Sequence, residues 1–206
     1  MKHTIRAAVV AQFHRPRGLA GSLAGWVMAH RPSNRRRNAW AVDLLDVRPG
    51  EKALEVGFGP GLAVARLSRR VGPAGHVHGV DHSRVMLRQA SRRNAAVIRA
   101  GRVTLTESSV ERLPPGPFDA ILAVNSLGMW PDPADRLRDL RHRLAPGGRI
   151  AIVSQPRCPG ATGAVSLKAA QTIEALLTAA GFTGPRTHTL ALDPPAVCVL
   201  AIKNGI

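Results

Sequence analysis

Residues 55–61 read Glu-Val-Gly-Phe-Gly-Pro-Gly and close the apolar run Lys52-Ala-Leu-Glu-Val-Gly57. A short apolar run of this kind predicts a buried strand, and a glycine-rich loop behind it predicts a tight turn into a helix. Glycines at 57, 59 and 61 let a ligand lie against bare backbone. They also leave N–H groups pointing outward at the start of the next helix, where anionic or hydroxylated groups are favoured. The pattern differs from the dinucleotide fingerprint G-x-G-x-x-G, because position 62 is Leu and the third glycine falls one place early.

The remainder of the chain repeats the same alternation. His76–Asp81 reads as a second strand, with Ser83 placed to cap the helix after it. Arg102–Thr106, Phe118–Val124 and Arg149–Ser154 read as three more strands. Helices are expected from the glycine loop through Leu67, over Pro133–Leu144 and over Ala164–Ala180. Two closing strands, Arg186–Leu192 and Ala196–Ile202, flank Asp193-Pro-Pro195 and predict an antiparallel hairpin at one edge. Such a βαβ alternation gives an α/β fold with a mostly parallel sheet covered by helices on both faces. Residues 1–49 carry no strand pattern and read as a helical N-terminal segment ahead of a 50–206 domain, with helices near Ile5–Gln12, Gly18–His30 and Ser33–Asp46. The middle helix holds Gly18, Gly21 and Gly25, each costing about 1 kcal/mol against Ala. Its glycines fit either close packing or a lid.

Composition narrows the class. The 206 residues hold 29 Lys+Arg against 13 Asp+Glu, a formal net charge of +16. Cys158 and Cys198 form no disulfide or metal-ligand framework, which points to a reducing cytoplasm. The uncharged stretch Gly18–Ala29 is too short to span a bilayer. Eight cations and no acid precede Asp43, and six Arg with no acid fill 84–102. Such fields attract nucleic acid, anionic membrane surfaces or acidic small molecules.

Two carboxylates stand beside the loop: Glu55, two residues before its first glycine, and Asp81 at the tip of the second strand, able to accept both hydroxyls of a ribose. Together with V-D-H-S-R-V-M-L at 80–87, S-V-E-R-L-P at 109–114, F-D-A-I-L-A-V-N at 118–125 and L-A-P-G-G-R-I-A-I-V at 144–153, the loop resembles the class I S-adenosylmethionine-dependent methyltransferases over about residues 40–203. Within that family it is similar to the small-molecule, quinone-biosynthesis type. The resemblance implies a Rossmann-like sheet of seven strands ending in an antiparallel hairpin, and S-adenosyl-L-methionine as cofactor. It also implies that Glu55, Gly57, Phe58, Gly59 and Gly61 surround the methionine and ribose portion, and that Asp81 holds the ribose diol. His82 and Met86 then flank the adenine, and Asn125 lies near the methionine end and the acceptor. Ser109-Val110 stands where relatives often carry an acid that meets the adenine amine, so the Ser109 hydroxyl and the Val110 N–H are the expected substitutes.

The acceptor is less legible, because methyl transfer from a sulfonium depends mainly on alignment and exclusion of water. Asn125-Ser-Leu-Gly-Met-Trp130 is not the Asn-Pro-Pro-aromatic motif of nucleobase or glutamine amine methyltransferases. No cluster of carboxylates predicts a metal site. A small acceptor, acidic or lipid-like, is therefore expected, with His14 or His30 as candidate base and Asn125 and Trp130 facing the acceptor; Trp130 fits a core position equally well. The Arg31–Arg37 cluster is the candidate for an acidic group or an anionic membrane surface. An RNA acceptor using the basic arm is the alternative, disfavoured by a 3% aromatic content without Tyr. A cofactor-binding protein without catalysis, seated on a membrane surface, is a further reading.

Overall fold

The structure, a computed structural model, describes residues 30–156 and 160–205 together with Gly25. The chain runs α1 (Pro32–Leu45), β1 (Lys52–Val56), α2 (Leu62–Val71), β2 (His76–Asp81), α3 (Arg84–Arg93), α4 (Ala95–Arg99), β3 (Val103–Glu107), β4 (Phe118–Val124), α5 (Pro133–Arg143), β5 (Leu144–Ser154), α6 (Gly163–Ala179), β6 (Thr183–Leu190) and β7 (Ala196–Ile202). The seven strands form one sheet in the order β3-β2-β1-β4-β5-β7-β6. β1 to β5 are parallel, and β7 enters antiparallel between β5 and β6. This is the expected α/β architecture with its C-terminal hairpin. Strand order reverses between β1 and β4, so the crevice beyond their C-terminal ends is where an open α/β sheet binds ligands.

Each face has its own apolar layer. Ala41, Val42 and Leu45 of α1, Ala63, Val64 and Leu67 of α2, and Val85, Met86 and Ala90 of α3 pack against Ala53, Val77, Ala120 and Ala151. Leu137 and Leu140 of α5, with Ala170, Ile173 and Leu177 of α6, pack against Leu54, Ile121, Ile150 and Ile152. The alternation along β1 explains the division, since Ala53 belongs to the first layer and Leu54 and Val56 to the second.

Several element ends differ from the sequence reading. α2 continues past Leu67 to Val71, because Ser68 and Val71 extend its buried stripe until Gly72 adopts a φ of 67°. β5 begins at Leu144 rather than Arg149, and α5 stops one residue earlier. Phe118 pairs with Leu144 and Ala120 with Arg149, so the register shift absorbs Ala-Pro-Gly-Gly, with Gly147 at a φ of 74°. β6 starts at Thr183, three residues before the expected Arg186, because Thr183 pairs with Ile202.

The first two expected N-terminal helices lie outside the described residues, except for Gly25 and His30. Gly25 is helical and buried, and a Cβ there would run into the side chains of Gln89 and Met86 on α3. This close approach is to a helix, not to the sheet. The third expected helix is α1, opened by Pro32 and closed by Asp46 in the left-handed conformation.

Candidate active site

The loop after β1 is built from backbone geometry. Gly57 has a φ of 83° and its N–H donates to the Val80 carbonyl at 2.7 Å, holding the loop against β2. A side chain at 57 has no room, since its Cβ would stand 2.6 Å from the Ser126 Cβ. Gly59 differs. Its φ is 51°, its N–H donates to Asp81 Oδ2 at 2.8 Å, and nothing lies within 4 Å of where its Cβ would be. Gly61, at a φ of 76°, is enclosed by Ala90 and Asn94, and the Asn94 side chain donates to its carbonyl at 3.2 Å. Gly57 and Gly61 thus fit the turn into its neighbours, and Gly59 is the glycine over open space. Phe58 is buried among the apolar residues of the α1–α3 face.

Asp81 ends β2 at the same edge and is 7% exposed. Its Oδ1 accepts the Ser83 N–H at 2.9 Å and its Oδ2 accepts the Gly59 N–H at 2.8 Å. Each oxygen keeps a further lone pair for a ligand hydroxyl. Burial pushes this carboxyl up, opposed by the two N–H donors and by His82, whose Nδ1 lies 3.9 Å from Oδ1. His82 itself is exposed, and Ser83 caps α3 by accepting from the Met86 N–H at 3.4 Å. Met86 is buried in the α1–α3 layer.

Glu55 is 1% exposed. Burial, reinforced by the Asp81 carboxylate, pushes its carboxyl well above the usual carboxylate range, against a hydrogen bond from the Val64 N–H in the first turn of α2. On the adenine side expected from the sequence, Ser109 donates to Glu111 Oε2 at 3.4 Å. Glu111 is exposed and stands two residues beyond Ser109. Val110 packs into the second apolar layer, and so does Trp130, at 9% exposure. That burial places the Trp130 ring within the core.

Asn125 has a φ of 54° at the tip of β4. Its Oδ1 accepts the Gln155 N–H at 2.7 Å and its Nδ2 donates to the Gln155 carbonyl at 3.4 Å, so the side chain bridges the ends of β4 and β5. The Gln155 side chain donates to the Pro194 carbonyl at 2.8 Å and accepts from Arg37 at 2.5 Å. Arg37 also donates to Asn34 Oδ1 at 2.9 Å and is 5% exposed, whereas Arg31, Arg35 and Arg36 are exposed. The Arg31–Arg37 run is thus divided between surface and interior. Ser126, buried beside Asn125, donates to the Val56 carbonyl at 2.8 Å and locks the tips of β1 and β4 together. Ser126, Gln155 and Asn94 carry no role in the sequence reading, and Arg37 figures there only as one member of the Arg31–Arg37 cluster. His14 lies outside the described residues, and His30 is exposed. Among the described residues no group of His, Cys, Asp or Glu is arranged to hold a metal ion.

Residues 53–148 match the family model described as a methyltransferase domain. The chain is 33% identical over 184 residues to the uncharacterized methyltransferase YdaC of Bacillus subtilis, covering 88% of this chain and 98% of that one. It belongs to the S-adenosylmethionine-dependent methyltransferases. Among relatives of this methyltransferase with a named acceptor, the demethylmenaquinone methyltransferase of Halalkalibacterium halodurans is 32% identical over 134 residues, which cover 62% of this chain and 54% of that relative. The chain thus spans about half the length of that relative. A SAM-dependent methyltransferase from Aquifex aeolicus superposes with a TM-score of 0.68 at 20% identity, over 84% of this chain and 94% of its own, which shows the shared fold. The cofactor of the family is S-adenosylmethionine. The cleft has features that suit it: open backbone at Gly59, two Asp81 carboxylate oxygens that each accept one backbone N–H and keep a further lone pair, and a buried Glu55 Oε2 with no hydrogen-bond partner.

Proposed function

We propose that this methyltransferase acts on a small acceptor with an acidic or lipid-like character, and that the cleft at the ends of β1, β2 and β4 holds the cofactor. When bound, S-adenosylmethionine supplies an electrophilic methyl group carried on a sulfonium. Gly59 offers bare backbone to the ligand, Asp81 offers carboxylate lone pairs to the ribose hydroxyls, and Glu55 lies beneath the methionine portion. Glu111, through Ser109, places an acid on the adenine side. Met86 lies under that same side, in the layer that α3 shares with the sheet.

The observation that carries the acceptor class is the Asn125–Gln155–Arg37 cluster. A guanidinium held 5% exposed at the strand tips places positive charge beside the cleft, in an interior where charge is weakly screened. An acceptor that ionises to an oxyanion or carries a carboxylate is stabilised there, and an ionised acceptor needs no strong general base. The loop after Asn125 adds apolar surface, with Leu127 against the core and Met129 41% exposed. Similarity to the demethylmenaquinone methyltransferase supports a ring-bearing acceptor of that kind. The Asn125 amide is engaged on Gln155, which disfavours its use in nucleobase recognition. Residues 1–49 are proposed to border the acceptor side.

Tritiated-methyl incorporation into fractionated lipid, small-metabolite and RNA extracts tests this reading. Label is expected in an organic-soluble or small-metabolite fraction. Label confined to RNA, with a steep salt dependence, overturns it in favour of the basic arm as a phosphate track.

A further inference from the structure

Glu55 combines three features that ordinary packing does not require. It is among the largest fully buried side chains, yet it sits in β1 between Gly79 of β2 and Leu122 of β4, neither of which offers a charge. The Val64 N–H donates to its carboxyl, so part of the group is committed to holding the N-terminus of α2. Its Oε2 is buried with no hydrogen-bond partner. A buried carboxylate with one oxygen unsatisfied is costly, and keeping a proton is the cheaper state.

The charged groups on the surrounding elements do not change this. Asp81 and His82 end β2. Lys52 lies on β1, His76 and His78 on β2 and Asp119 on β4; Arg35, Arg36, Arg37 and Asp43 lie on α1, Arg66, Arg69 and Arg70 on α2, and Arg84, Arg88, Arg92 and Arg93 on α3, where Arg93 donates to the Pro60 carbonyl. Arg70 is paired with Asp43 at 2.5 Å in an exposed position. Asp81 is the charge that acts on Glu55, and it is negative, so it favours the proton further. Asp81 in turn spends one lone pair on the Gly59 N–H and one on the Ser83 N–H. Glu55 and Asp81 are thus two buried carboxyl groups at the neighbouring strands β1 and β2, and both burial and the Asp81 charge favour the proton on Glu55.

We propose that Glu55 is a positioning carboxyl that loses its proton to solvent when the cationic cofactor binds, and so distinguishes the methylated sulfonium from its neutral thioether product. The reading rests on the family's cofactor and on the placement of Glu55 under the methionine portion. The exchange is balanced: the Glu55 O–H bond breaks, the proton passes to buffer, and the positive charge of the ligand replaces it. Loss of the methyl group removes the sulfonium charge, and Glu55 takes a proton back as the product leaves. Affinity for S-adenosylmethionine then rises with pH between the lower pKa of the bound state and the higher one of the free state. The slope reaches at most about tenfold per pH unit for one proton released. S-adenosylhomocysteine shows the shallower slope.

The test is calorimetric titration of the full chain with each of the two ligands, across the neutral range, in buffers of unlike ionisation heat. The wild-type protein is expected to release a fraction of a proton with S-adenosylmethionine and less with S-adenosylhomocysteine. Glu55→Gln is expected to abolish that difference and to bring the two affinities closer together. The protonation of each ligand's own amine is measured on the free ligand and subtracted. Equal proton release by wild type and Glu55→Gln overturns the proposal. Infrared difference spectra of the wild type decide the matter even where the variant fails to fold. The carbonyl band of a protonated carboxyl is expected to disappear on adding S-adenosylmethionine, and its persistence overturns the proposal. Failure of either ligand to bind strikes at the cofactor site itself, whereas binding without proton exchange overturns only this inference.

Discussion

Gly57 and Gly59 stand two residues apart on one loop, and alanine at each should fail in a different way. Both have positive φ, 83° and 51°, so either substitution carries about 1–2 kcal/mol of left-handed strain. At 57 the new Cβ also meets the Ser126 Cβ at 2.6 Å, and Ser126 is fixed by its bond to the Val56 carbonyl. Overpacking of that kind adds about 1–3 kcal/mol. At 59 nothing lies within 4 Å, so strain is the whole cost to the fold. For a domain of this size each kcal/mol moves Tm by about 2–4 °C. Gly59→Ala should therefore melt about 2–8 °C low, and Gly57→Ala about 4–20 °C low. Binding should separate them in the opposite sense. The Cβ at 59 fills the space over the backbone, and affinity for S-adenosylhomocysteine should fall at least tenfold in a protein that still unfolds cooperatively. Thermal unfolding and calorimetric titration of both variants check this. Wild-type affinity in Gly59→Ala, or equal Tm losses in the two, refutes the division of roles between the glycines.

Ser126→Ala removes the donor to the buried Val56 carbonyl and should cost about 1–3 kcal/mol, read by denaturant unfolding; a neutral variant contradicts the lock between β1 and β4. Glu51 is pushed up by burial, but hydrogen bonds from Arg149 and the Arg48 N–H outweigh this and hold it below its usual value. Its stabilisation is therefore present above the unfolded pKa of about 4.3 and is lost as pH falls through the lower folded value. Arg149→Met should flatten that acid limb of the stability curve and lower stability by about 1.5–3 kcal/mol at neutral pH. Burial pushes the Cys198 thiol up to about 12, so in a Cys158→Ser background a thiol reagent should label it only as fast as the protein unfolds. Rapid labelling of the folded protein contradicts its burial.

The strands of the central sheet are legible where a largely buried run is bounded by turn residues. His76–Asp81 and Phe118–Val124 coincide with β2 and β4 for that reason. Leu144 was assigned to the preceding helix because its pairing with Phe118 depends on a register shift that no local pattern encodes. The ligand-facing loop was equally legible, since glycines and flanking acids are local. Its supports were not. Ser126 acts on a carbonyl 70 positions away, and Arg37 meets Gln155 across 118 positions. In the sequence Arg37 is one of several cations in a basic run, and only the fold buries it beside neutral amides. Trp130 shows the converse. Its place soon after β4 suits an acceptor-facing ring as well as a core one, and its burial within the second apolar layer places it in the core.

The cleft at the ends of β1 and β2 is tested most directly by titrating S-adenosylhomocysteine into wild type and Asp81→Asn. The variant keeps a carbonyl to accept one of the two backbone N–H groups but loses the charge and the second acceptor. Stoichiometric binding by the wild type, and loss of about tenfold or more in affinity with cooperative unfolding retained, is the expected result. Equal affinity in the two proteins contradicts the assignment of this cleft as the cofactor site.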